Sequence, residues 1–167
     1  DEAQDLTPMQ WRMIARRARS LSMTVVGDLA QCSTGEPGSW RAVAPSALAH
    51  IEGEDAPDAL DAAGLVRVRE AFVQATRRAA RIGLQGIEIH AAHGYLMHQF
   101  LSPIANRRTD TYGGSLANRM RFPLEVFDAV RAAFPAERPL WVRLSATDWV
   151  EGSGWDVESA ITFAQAL

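Results

Sequence analysis

The sequence predicts an α/β fold built on a parallel sheet. Three observations carry this expectation: short apolar runs of strand character, helical periodicities between them, and capping signals where the helices should start. Strands that alternate with helices are joined by right-handed crossovers, which leads to a barrel or a doubly wound sheet.

The elements follow in order. Thr7-Pro8-Met9-Gln10 combines a capping threonine, a proline at the first helical position and a glutamine three residues after the cap. Trp11, Ile14, Ala15, Ala18 and Leu21 continue at helical spacing, so this helix runs to about Ser22. Met23 to Ala30 reads as a short buried strand, and Gln31 to Leu60 as a long excursion without a sustained period. Leu65, Val68, Phe72, Ala75 and Ala79 define an amphipathic helix ending at Gly83. Gly86 to Ala91 is the second strand, and the segment after it reads as irregular. Ser115 caps a helix through about Phe134, with Pro123 expected to kink or restart it. Pro139 to Ser145 is the third strand, and a last helix opens near Asp156 with Val157, Ala160, Ile161, Ala164 and Leu167 inward.

Composition narrows the function classes. The 167 residues are 47% hydrophobic and 22% charged with a formal net charge of −3, which describes a globular chain and excludes disorder or a fibrous repeat. All 17 basic residues are arginines, scattered and outnumbered by 20 acidic ones, so no nucleic-acid partner is expected. No apolar run approaches the ~20 residues of a membrane span, and the start lacks the features of a signal peptide. A cytoplasmic protein with no membrane partner is expected. Cys32 is the one cysteine and has no partner for an internal disulfide.

The chemistry collects around the second strand. Three of the four histidines, His90, His93 and His98, lie within nine residues. Alternation sends Ile87 and Ile89 to one face and Glu88 and His90 to the other. His90 then ends a parallel strand, with His93 and Tyr95 in the turn beyond, where α/β folds place ligand sites. Two imidazoles can hold and polarise a carbonyl or phenolate oxygen, and a phenol can deliver a proton. In the third strand Trp141, Arg143 and Ser145 share a face. An arginine inside a buried strand needs a partner, either a carboxylate such as Glu88 or a ligand that becomes anionic. His90-Ala91-Ala92-His93 lacks the spacing of a helical zinc motif, and no metal is expected.

The stretches Ile87 to Leu96, Gln99 to Pro103, Asn106 to Ser115 and Val142 to Trp149 together resemble the old yellow enzymes, in the style of their bacterial ene-reductases. The resemblance is strong from about Leu65 to Leu167 and weaker from Thr7 to Trp40. It implies a (βα)8 TIM barrel that binds FMN, takes hydride from NAD(P)H and reduces the activated C=C bond of α,β-unsaturated carbonyl compounds. By resemblance, His90 and His93 bind the substrate carbonyl, Tyr95 donates the proton, and Arg143 contacts the flavin pyrimidine edge. Asp28 stands where the family places a flavin-contacting glutamine, and an ionised aspartate only accepts hydrogen bonds. Asn106 to Ser115 reads as a structural loop and cap.

A (βα)8 barrel takes roughly 250 residues. Residues 1–167 are therefore read as a partial barrel domain, a fragment of a longer chain whose three parallel strands are, by resemblance, the third to fifth. Its partners would be a small-molecule substrate and the missing barrel strands of the parent chain, or a second copy. Two alternatives accompany the ene-reductase reading: the reductase half of a fused flavoprotein acting on an aromatic acyl-CoA, and a non-catalytic barrel domain used for assembly or substrate docking, motivated by Asp28 and Gln31.

Overall fold

The computed structural model describes residues 43–49, 51 and 53–167. The expected Thr7–Ser22 helix and Met23–Ala30 strand lie outside these residues, and so do Asp28, Gln31 and Cys32.

Two short strands, β1 (Val43–Ala44) and β2 (Asp58–Ala59), pair in parallel inside the stretch expected to be an excursion. Two-residue strands carry no alternation to read, so sequence periodicity could not find them. Helix α1 (Ala62–Arg81) opens where the Asp61 carboxylate accepts the Gly64 amide at 2.6 Å, three residues ahead of the expected apolar stripe. It closes with Arg78 and Arg81 in the last turn and Gly83 at φ +85°.

Strand β3 (Ile87–Ala91) follows, buried at Ile87, Ile89 and Ala91 and half-buried at Glu88 and His90, as alternation requires. The segment read as irregular contains a six-residue helix, α2 (Leu96–Leu101). It is too short for a periodic signal and depends on burial: Met97, Phe100 and Leu101 are essentially inaccessible. Helix α3 (Leu116–Ala133) is capped by Ser115, whose hydroxyl accepts the Asn118 amide. It runs through Pro123 without the expected restart. Phe122, Val126 and Val130 are at most 1% exposed along its inner side, and this packing offsets the roughly 3 kcal/mol of an interior proline.

Strand β4 (Leu140–Leu144) pairs with β3 in parallel, setting Glu88 opposite Trp141 and His90 opposite Arg143. Its side chains alternate between half-buried and exposed, and Arg143 is not enclosed as a buried strand would enclose it. The face that Glu88, His90, Trp141 and Arg143 share is uncovered among the described residues. Helix α4 (Val157–Ala166) is capped by Asp156, and of the expected inward stripe Ala160 packs against the core while Val157, Ile161, Ala164 and Leu167 stay exposed. Val157 and Ile161 are half-exposed, and Phe163 is the residue driven inward, against Trp155.

The main core lies between the sheet and the helices, where α1 packs along α3 and the Phe100 and Phe122 rings meet at 4.6 Å. A second cluster of Leu101, Met120, Trp155 and Phe163 seats α4. The Asn106–Ser115 loop ties these parts together, as expected of a structural element. Asn106 Nδ2 donates to the carbonyls of Phe100 and Tyr112 at 2.7 and 2.8 Å, and Arg108 Nη1 donates to those of Pro45 and Leu60 at 2.9 and 2.6 Å. No helix among the described residues is long and apolar enough to cross a membrane.

Candidate active site

Strand β3 delivers His90 to the carboxyl end of the parallel pair, and the chain then turns sharply. His93 and Gly94 are both left-handed, at φ +58° and +77°. Histidine is among the few side chains that visit this region with any frequency, and glycine enters it freely. The reversal brings Tyr95 back as the cap of α2. The rings converge as a result: His90 lies 5.1 Å from His93, edge to face, and 4.7 Å from Tyr95.

His90 Nδ1 is buried and has no hydrogen-bond partner among the described residues. Burial, reinforced by His93 and Arg143, holds the His90 pKa below its ordinary value, so the imidazole is neutral near pH 7. A neutral ring offers one N–H and one lone pair, which suits holding an oxygen without adding a full charge.

Arg143 finds one of the two partners left open by its sequence context. Its Nε donates to Glu88 Oε1 at 2.7 Å, and the guanidinium remains half-exposed on the uncovered face beside His90. The structure thus groups His90, His93 and Tyr95, with Arg143 in register next to them. No group of three or more histidine, cysteine or carboxylate ligands that could hold a metal occurs among the described residues.

Sequence reasoning missed the surroundings of His98. This third histidine leaves the cluster and is 6% exposed, with Nε2 lying 3.1 Å from Asp148 Oδ1. The contact is close, but it lacks the alignment of a directed hydrogen bond. Fifty residues separate the two in sequence, and no local pattern links them.

A helix-backed parallel pair with polar rings at its carboxyl end is the placement in which α/β folds carry their ligand sites. Residues 31–167 match the model of the NADH:flavin oxidoreductase / NADH oxidase family, and the chain belongs to that family. It is 48% identical over 122 residues to an NADPH dehydrogenase of Clostridium acetobutylicum, covering 73% of this chain and 34% of the relative. Among solved structures it is similar to a 2-naphthoyl-CoA reductase in complex with 2-naphthoyl-CoA, at 34% identity and a TM-score of 0.69, covering 74% of this chain and 19% of the other. It is also similar to an old yellow enzyme of a Pichia species, at 35% identity and a TM-score of 0.64, covering 74% and 35%. The old yellow enzymes are TIM barrels, and the described residues form a partial α/β portion of that architecture. The chain spans about a third of the length of the curated relatives it matches. FMN is the cofactor of the family, and NAD(P)H its electron donor.

Proposed function

We propose that this chain is the catalytic segment of a longer FMN-dependent oxidoreductase that uses NAD(P)H to reduce the activated C=C bond of α,β-unsaturated carbonyl compounds. Its strands would be the third to fifth of the complete barrel. The observation that carries the reading is the convergence of the His90, His93 and Tyr95 rings at the carboxyl end of a parallel strand, with His90 Nδ1 left without a hydrogen-bond partner among the described residues.

The residues present fit a flavin. An exposed guanidinium fixed by Glu88 on the uncovered inner face suits the acceptor-rich edge of a heteroaromatic ring that gains negative charge. Arg143 would hold that edge. When bound, FMN would supply the hydride chemistry for the β-carbon of the alkene, with NAD(P)H as the electron source. The chain's own residues do the rest. His90 and His93 hold the carbonyl oxygen and stabilise the charge that develops on it. Tyr95 gives its hydroxyl proton to the α-carbon, so that the double bond becomes single with one hydride and one proton added.

The likeness to the 2-naphthoyl-CoA reductase favours a second substrate class, an aromatic acyl thioester. The same two histidines would hold its thioester carbonyl.

Tyr95→Phe in the full-length protein tests the assignment. We expect reduction of the enzyme by NAD(P)H to keep its rate while reoxidation by an enone slows by roughly two orders of magnitude, the usual loss of a positioned acid. Equal slowing of both half-reactions would remove Tyr95 from the proton-donor role.

A further inference from the structure

The proposed function employs two histidines of the cluster and leaves the third unexplained. His98 sits on α2 with its ring buried beneath the turn that carries His93 and Tyr95. Its Nδ1 accepts the Gly94 amide at 2.9 Å, which fixes the tautomer: Nδ1 is bare, and the ring proton is on Nε2, facing Asp148.

Asp148 is itself held. Its Oδ2 accepts the Ser102 hydroxyl at 2.6 Å and the Trp155 amide at 2.7 Å, and its own amide donates to the Trp155 carbonyl at 2.8 Å. The neighbouring amide of the turn is fastened from the same side. His93 N donates to Ser145 Oγ at 2.9 Å, while the Ser145 carbonyl accepts Trp155 Nε1 at 2.8 Å. Of two successive amides in this left-handed turn, one is held directly by the loop after β4 and the other by His98, which touches that loop through Asp148. A left-handed residue other than glycine carries some strain even when it is a histidine, and the bond of the His93 amide to Ser145 helps hold it there.

We propose that His98, oriented by Asp148, is a positioning residue: it fixes the His93–Gly94 turn so that both oxygen-holding imidazoles meet the substrate carbonyl in one geometry. This rests on the function proposed above for His90 and His93. The role parallels the partners that orient ligand-binding histidines from behind, here acting through a backbone amide. Burial lowers the His98 pKa, against the opposing pull of Asp148, and keeps Nδ1 available as an acceptor.

The test uses the full-length flavoprotein and three variants. His98→Ala removes the acceptor. His98→Asn retains an oxygen within reach of the Gly94 amide. Asp148→Asn turns an amide N–H toward Nε2, which favours the opposite tautomer. The measurements are binding of 4-hydroxybenzaldehyde, a carbonyl-bearing phenol, by titration calorimetry, ring 15N NMR shifts of His98, and the melting temperature.

We expect a bare Nδ1 in the wild type and a protonated Nδ1 in Asp148→Asn. Phenol binding should weaken roughly tenfold in His98→Ala and Asp148→Asn, the size of one lost buried hydrogen bond, and stay within about threefold of wild type in His98→Asn. Unchanged phenol affinity in folded His98→Ala would overturn the proposal, and so would an equal loss in His98→Asn, which marks a packing role. If His98→Ala does not fold, the tautomer and affinity of Asp148→Asn decide in the same way. A wild-type protein that carries flavin and yet binds no phenol would overturn the reading of His90 and His93, and this inference with it.

Discussion

Asn106 offers a sharp test of the separation between framework and site. It is 4% exposed and uses its whole amide: Nδ2 donates to the Phe100 and Tyr112 carbonyls, and Oδ1 accepts the Arg108 amide at 3.1 Å. Phe100 lies in the last turn of α2, where carbonyls lack helical partners, so the side chain completes that helix end. Asn106→Ala removes three hydrogen bonds of about 1 kcal/mol each and leaves carbonyls without their donor, for a total near 3 kcal/mol. Asn106→Asp should cost more, because a carboxylate would face two carbonyl oxygens. Urea denaturation of the full-length protein measures both, with flavin content and phenol affinity determined on the folded fraction. The expected pattern is a large stability loss with ligand binding preserved. A loss below about 1 kcal/mol, or binding lost at unchanged stability, would refute the structural reading of the Asn106–Ser115 loop.

Two further outcomes are expected. Gly113→Ala should destabilise by about 1–3 kcal/mol, since a Cβ there would strike the Arg108 carbonyl, a backbone atom that cannot swing aside; thermal melts check it. Because His90 and His98 both have folded-state pKa values below the ordinary histidine value, the unfolded chain binds protons that the native state refuses once the pH drops below about 6.5. Stability should thus be full above that pH and fall as acid carries it down through the native values. Urea midpoints at pH 7.5 and 5.5 give the direction, and an increase on acidification would contradict it.

Much of this arrangement was legible in the sequence where a local rule governs it. Alternation in Ile87 to Ala91 assigned the faces of β3, Ser115 and Asp156 announced two helix starts, and His90, His93 and Tyr95 fell together because six residues of turn can hardly separate them. The misreadings arose where tertiary packing overrides local pattern. Helix α2 is stabilised by the core rather than by its own six residues. Phe163 displaced the Val157 and Ile161 stripe because the Trp155 cluster is the better apolar surface. Likewise, the contact of His98 with Asp148 depends on which loops lie side by side, which no sequence spacing encodes.

The hydrogen bonds from the His93–Gly94 turn to Ser145 and His98, together with the close contact of His98 with an Asp148 that is itself bonded to Trp155, have a consequence for modularity. In a repetitive strand-and-helix architecture, each strand with its following loop looks like a unit that recombination could exchange. Here the loops after β3 and β4 are mutually dependent halves. A chimaera that imports a loop lacking Ser145 or Asp148 would leave the His93–Gly94 turn without these contacts. A segment running from β3 through Trp155 keeps both loops and the contacts between them together.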